Sequence, residues 1–407
     1  MRNWVRNAML PVEGVIEWLV LLFVRARPGA RGQRPRHVLV TGPGGGSVGD
    51  EAMYLAFVAQ AGVPVTVVGR RRSDLLQLVD GDVEYVFLPN LLYGTVFQRV
   101  PQLLAFLRLA RSASGVSFIG ADTMDGVYNN PSSVRRFRTA RQAAAVGAPT
   151  RVLGFSWNDH PTPQALREMR RTAPHVEFLM RDRSSGERIR ADGALQVTDV
   201  ADLAFLTTPR EGGSSLEEWI ADQRRLGRPI VLVNANPFLE RWYPDQLSAY
   251  ASVLADGLGA GVSFALIPHD TSGASNDLTY ETRILEHLDA SPHLFRQTAL
   301  LAPADIVRIA ALADAGVTGR MHFAILCAVA HTPVLALSYQ GKVAGLYALL
   351  GLDSWLGPGA ELAPRLRAGL DDLLSDGAAR AVLEVRVPEA IALAELNLPL
   401  TDARRTA

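Results

Sequence analysis

The chain has 407 residues, 41 of them basic and 41 acidic, which is long enough for two sizeable cores at roughly 100 to 200 residues per domain. With no net charge to draw it to nucleic acid, DNA or RNA binding is not expected, and a hydrophobic share of 48% against 20% charged residues excludes long disorder. The single cysteine, Cys327, lies in an apolar run, so no disulfide can form within the chain and the thiol reads as a packed hydrophobe rather than a nucleophile.

The first element is an apolar run over residues 15–24, framed by Arg2 and Arg6 before it and by Arg25, Arg27, Arg31, Arg34 and Arg36 after it. It is shorter than the roughly 18 to 20 residues that a spanning helix needs, and it contains Glu17. A cleaved signal peptide fits poorly, because arginines follow the apolar core where small residues are required. Two readings stay open: an amphipathic helix packed on the protein or on a second subunit, or an interfacial helix whose arginines meet anionic lipid. The second would give an otherwise cytoplasmic protein a peripheral membrane contact through residues 1–34.

From residue 36, short β-branched runs at 37–41, 63–68, 84–88, 115–119, 151–155 and 176–180 alternate with helical stretches. Near-continuous apolar strands between helices predict a buried parallel sheet. Residues 207–228 turn to Thr, Pro, Gly and Ser followed by a charged helix, the best candidate for a linker. The alternation restarts at 229–234, 262–267, 299–302, 315–318 and 333–338. The expected organisation is therefore an amphipathic segment over 1–35, domains over 36–206 and 229–400, and a linker over 207–228. In fold class this is α/β, two Rossmann-like parallel-sheet domains facing a cleft. Open parallel sheets bind ligands beyond the carboxyl ends of their strands, and four candidate sites follow strands directly.

The first runs from Thr41 through Gly42, Gly44, Gly45, Gly46 and Gly49 to Asp50 and Glu51. Glycine-rich backbone before a helix suits an anion or a close-approaching ligand, or else a tight turn capped by Asp50. It lacks both the P-loop lysine and the third glycine of a dinucleotide fingerprint. The second gathers Asp122, Asp125, Tyr128, Asn129 and Asn130, where carboxylates could orient sugar hydroxyls or act as bases, or cap a helix. At the third, Arg181 could clamp a carboxylate or phosphate while Asp182 or Ser184 caps the next helix. The fourth is Thr318-Gly319-Arg320-Met321-His322. Cations at a helix amino terminus are electrostatically misplaced unless an anion sits there, and Lys342, after the next strand and the turn from Tyr339, could converge on the same anion. No ligand cluster with zinc spacing is present.

These residues resemble the polysaccharide pyruvyl transferase family over about residues 37–352. The resemblance rests on Gly49-Asp50-Glu51, on Arg181-Asp182-x-x-Ser185, on Arg320-x-His322 followed by a strand, Tyr339 and Lys342, and on Asp202 and Pro268-His269. It implies a GT-B-like fold and transfer of pyruvate from phosphoenolpyruvate onto a sugar diol as a cyclic ketal, with a nucleotide- or lipid-linked saccharide as acceptor and neither metal nor cofactor. On that reading His322 is the general acid, and Arg320, Arg181 and Lys342 hold the donor. Asp122 or Asp125 takes protons from the diol, and Tyr339, His269, Asn234, Gly44, Gly45, Gly49 and Asp50 complete the binding surface. One departure is Gly120-Ala121-Asp122, where the family pattern has three glycines. Two alternatives remain, a glycosyltransferase using a nucleotide-sugar and a saccharide-binding protein that has lost the chemistry.

Overall fold

The computed structural model describes residues 3–26, 35–42, 44–339, 341–375 and 377–399, and the side chains of all these except residues 3–9. Arg2, Arg27, Arg31 and Arg34 and the side chain of Arg6 lie outside the described residues. The chain forms two compact units, one of Met1–Gly45, Met53–Leu203 and Leu393–Ala407, the other of Gly46–Ala52 and Ala204–Ala392.

In chain order the elements are α1 (Asn3–Arg25), β1 (His37–Val40), α2 (Val48–Gln60), β2 (Val65–Gly69), β3 (Val83–Phe87), α3 (Val96–Ser112), β4 (Gly115–Ala121), α4 (Asn130–Ala145), β5 (Thr150–Phe155), α5 (Pro163–Thr172), β6 (Glu177–Met180), α6 (Arg183–Ala191) and β7 (Val197–Asp199). The strands form one parallel sheet in the order β3-β2-β1-β4-β5-β6-β7. Its central strands are buried along their whole length, as apolar runs covered on both faces must be.

The elements then continue as α7 (Ser215–Arg225), β8 (Ile230–Asn234), α8 (Gln246–Gly259), β9 (Ser263–Leu266), α9 (Asp277–Leu285), β10 (Leu294–Arg296), α10 (Pro303–Ala310), β11 (Ala315–Thr318), α11 (Met321–Val329), β12 (Val334–Leu337), α12 (Gly341–Leu350), β13 (Trp355–Leu356), α13 (Leu362–Ser375) and α14 (Ala378–Glu395). Their strands form a second parallel sheet, β10-β9-β8-β11-β12-β13.

Strand order places the sites. The first sheet runs outward from β1 to β3 and then restarts on the other side at β4; the second does the same from β8 and β11. At such a switch point the connecting loops diverge and leave a crevice at the strands' carboxyl ends. Thr41 and Asp122 follow β1 and β4, whereas Asn234 ends β8 and Arg320 follows β11.

Two expectations change and two edge strands are added. Residues 299–302 are not a strand; the edge strand is Leu294–Arg296, and the Leu-rich run leads instead into α10, whose first residue is Pro303. Both β7 and β13 pair on one side only and are three and two residues long, too short to leave an apolar pattern. Helix α2 starts at Val48, so Asp50 stands inside its first turn and not before it as a cap.

Helix α1 is docked through its charges. Glu13 and Glu17 are 1% and 3% exposed. Glu13 pairs with Arg135 at 2.8 Å, and Glu17 takes a hydrogen bond from Arg99 of α3 and another from Gln142 of α4 at 3.0 Å. Burial pushes the Glu17 carboxyl up, against the pull of Arg99.

Candidate active site

In the second unit one buried carboxylate gathers three strand ends. Asp277, first residue of α9 and fully buried, accepts hydrogen bonds from the Asn234 side chain at 2.9 Å and from the backbone N–H groups of His269 and Asp270 at 3.0 and 3.1 Å. Its second oxygen takes Nη2 of Arg320 at 2.6 Å. Asn234, itself fully buried, also donates to the Ile267 carbonyl at 3.0 Å and accepts from the Thr318 hydroxyl. That hydroxyl in turn accepts the Arg320 N–H at 2.9 Å.

Arg320 is thus held between two carboxylates of its own chain. Asp270 takes Nη1 at 3.2 Å, and Nε is buried without a hydrogen-bond partner. The residue is the N-cap of α11 and its side chain makes no cap hydrogen bond, so a fixed guanidinium stands at the helix amino terminus. Such a terminus favours an anion.

His322 stands in the first turn of α11, half-buried. Gly49 approaches it closely enough that a Cβ there would fall 2.3 Å from its Nδ1; only glycine fits. The residues around Gly49 are tied to the same loop, by Val48 N–H to the His269 carbonyl at 3.1 Å and Thr271 N–H to the Gly46 carbonyl at 3.1 Å. His269 is 2% exposed, with neither ring nitrogen hydrogen-bonded. Burial, with the charges of Arg320 and His322, holds its pKa well below the ordinary histidine range, so it is neutral.

Beyond β12, which pairs with β11, Lys342 lies in the first turn of α12 with Nζ 5.6 Å from the centre of the Tyr339 ring. Tyr339 stacks on Trp242 at 4.3 Å and meets Phe238 at 5.5 Å, and Phe238 is 46% exposed. Lys342 is the single lysine among 41 basic residues. Everywhere else the chain uses arginine, which makes the ammonium here a specific choice.

The first unit brings together Asp122, Arg181 and Asp202. Arg181, 4% exposed, donates to Asp202 at 2.9 Å, to Asp122, and to the Ser156 hydroxyl at 3.0 Å. Its guanidinium therefore clamps carboxylates of its own chain. Asp182, not Ser184, caps α6, accepting the Ser185 N–H at 2.8 Å. Asp125 is buried and accepts the Val127 N–H at 2.9 Å, closing a turn, while the Asp122 side chain keeps 27% of its surface. Gly44 and Gly45 have φ of +57° and +89°, and a Cβ on Gly44 would meet the Asp74 carbonyl oxygen at 2.3 Å. Ala121 has φ +46°, a left-handed conformation that costs a residue with a Cβ roughly 1–2 kcal/mol. Glycine would adopt it freely.

The family model for polysaccharide pyruvyl transferases matches residues 55–341, a span that contains Asp122, Arg181, Asp277, Arg320 and His322. The chain belongs to the polysaccharide pyruvyl transferase family. None of the curated proteins matches the sequence. Among solved structures, this family member is similar to UDP-GlcNAc 2-epimerase from Methanocaldococcus jannaschii (10% identity over 84% of this chain and 93% of that one, TM-score 0.57). It is also similar to MnaA of S. aureus, solved with UDP (9%, 87% and 91%, 0.58), and to HepE of Anabaena, solved with UDP-glucose (12%, 91% and 97%, 0.54). At such identities the likeness is one of fold, two parallel-sheet α/β domains of GT-B type.

Sequence reading of this family member missed Asp270, Asp277, Phe238 and Trp242. Asp277 was signalled only by Asn276-Asp277 opening a helix after a Ser- and Gly-rich turn, a pattern that ordinarily means capping. The count of one lysine was a plainer signal for Lys342.

Proposed function

We propose that this protein transfers the pyruvyl group of phosphoenolpyruvate to two hydroxyls of a saccharide, forming a cyclic ketal. The observation that carries the reading is the grouping at the ends of the adjacent strands β11 and β12, where Arg320 and His322 open one helix and the only lysine, Lys342, opens the next. Phosphoenolpyruvate brings a phosphate and a carboxylate, and two helix amino termini that carry cations suit both.

Two of the five N–H donors of Arg320 are engaged by Asp277 and Asp270, so the guanidinium is pre-oriented and has donors left for the donor substrate. His322 delivers a proton to the methylene carbon, leaving an oxocarbenium at C2. One saccharide hydroxyl adds to C2; phosphate then departs as the second hydroxyl closes the ring. Of the two protons the diol loses, one restores His322, whose own proton is now in the new methyl group, and the other leaves on phosphate. Lys342 stabilises the departing phosphate. The acceptor is assigned to the first unit, with Asp122 as the proton-accepting carboxylate in preference to the turn-bound Asp125; Arg181 then positions Asp122 rather than holding the donor. His269, buried, ties its loop to Asp277 through its backbone N–H.

Incubation with phosphoenolpyruvate and a panel of nucleotide- and lipid-linked saccharides tests the proposal. Phosphate release together with a new ketal methyl signal supports it, and His322→Ala should abolish both in a folded protein. A second reading, glycosyl transfer from a nucleotide-sugar, draws on the cluster of Phe238, Trp242 and Tyr339 beside Lys342, which suits a base as well as a sugar. Turnover of a nucleotide-sugar without phosphoenolpyruvate would favour it, and saccharide binding without turnover would mark a binding protein.

A further inference from the structure

Helix α1 is amphipathic in the inverse sense. Its two acidic residues, Glu13 and Glu17, face inward with Leu10 and Val24. From Pro11 to Phe23 every exposed residue is apolar: Pro11, Val12, Val15, Trp18, Leu19, Leu22 and Phe23. Trp18 and Leu19 are 56% and 55% exposed, and Val15 is 62% exposed. At 100° per residue these positions share an arc of about 140°, opposite the docked face. Glu17 is therefore no break in the apolar surface; it is the anchor that turns that surface outward.

Helix α3, against which α1 packs, exposes one large apolar side chain. Phe97 is 84% exposed, and the other exposed residues of α3 are Gln98, Pro101, Ala105, Arg108 and Ser112. Neither helix presents an exposed acidic side chain among the described residues, since α3 contains no Asp or Glu at all. Arg25 and Arg108 are exposed at its margin, and Arg111 donates to the Val24 carbonyl at 2.5 Å. In the sequence Arg27, Arg31 and Arg34 follow directly. No described helix is long and apolar enough to cross a membrane.

We infer that this face lies on an anionic lipid surface, with Trp18, Leu19, Leu22 and Phe23 immersed at the headgroup boundary and Arg25 and Arg108 against lipid phosphates. An apolar face carrying tryptophan and phenylalanine, flanked by arginine and free of acid, has the composition of an interfacial helix. The charge complement selects anionic lipid over a neutral surface. Rigid docking of α1 through buried ion pairs fixes the face in place before any lipid is met, so contact does not have to order the helix.

Flotation of the full chain with phosphatidylglycerol-containing vesicles tests the inference, against pure phosphatidylcholine vesicles and the variant Trp18→Glu, Leu22→Glu. Both side chains are exposed, so the variant should melt with the parent. The expected result is flotation with the anionic vesicles, at least a tenfold loss with phosphatidylcholine and at least a tenfold loss in the variant. Equal flotation with both lipids, equal flotation of the variant, or no flotation at all would overturn it. So would a parent dimer that the variant converts to monomer without either binding vesicles, which would identify a second copy as the occupant.

Discussion

Asp277 holds Arg320 by a 2.6 Å hydrogen bond at the amino terminus of α9 while also receiving two backbone N–H groups and the Asn234 amide. The carboxylate has no exposed surface, and the Arg320 side chain keeps 23%. One acidic residue thus sets both the loop after β9 and the cation after β11.

Asp277→Asn keeps the shape and removes the charge. Breaking a buried pair costs roughly 3–5 kcal/mol, and partial exposure of Arg320 places this one near 3 kcal/mol. Urea unfolding should show that loss, whereas Asp270→Asn, whose carboxylate is partly exposed, should cost less than about 1 kcal/mol. Equal losses would remove Asp277 from its central place.

Gly49→Ala inserts a methyl group 2.3 Å from Nδ1 and 2.7 Å from Cγ of His322. The ring has to swing away. Overpacking should cost about 1–3 kcal/mol, and displacing the proposed acid by an ångström should lower kcat about a hundredfold. Steady-state kinetics and thermal melting on one preparation separate the two effects.

Lys342→Arg preserves charge at the one position where the chain departs from arginine. A planar fork does not reproduce the hydrogen-bond geometry of a compact ammonium. Turnover should fall at least tenfold with stability within about 0.5 kcal/mol. Full activity in Lys342→Arg would show that charge alone matters there.

Glu281 supplies a pH signature of folding. Its side chain has no exposed surface, and burial, reinforced by Asp277 and opposed by Arg296 at 3.9 Å, pushes its carboxyl up to about 8 from an ordinary 4.5. The native state therefore holds this proton more tightly than the unfolded chain, and the stability it contributes is complete below pH 4.5 and lost as pH rises toward 8. Thermal melts at pH 5 and pH 8 should show Glu281→Gln gaining on the parent at the higher pH. No change in the difference would mean that the carboxyl titrates normally.

Much of this protein is legible in its sequence, for a physical reason. Buried parallel strands must be apolar throughout, so Asp122, Arg181, Arg320 and Lys342 stand out where each strand ends. What escaped depends on contacts across the chain. Glu17 reads as a flaw in an apolar run until Arg99 and Gln142 are seen beneath it, and Asp277 looks like a helix cap until Asn234 and Arg320 converge on it. Arg181 reads as a clamp for a foreign anion because Asp202 is 21 residues distant in sequence and 2.9 Å distant in space. The short edge strands β7 and β13 escaped because a strand paired on one side needs few apolar residues.

The central claim is that the site opened by Arg320 and His322 receives phosphoenolpyruvate, and calorimetric titration of the full chain with that compound tests it most directly. The account predicts saturable binding that UDP does not displace and that Arg320→Ala weakens at least tenfold. Absence of phosphoenolpyruvate binding to folded protein, with UDP binding in its place, would contradict it.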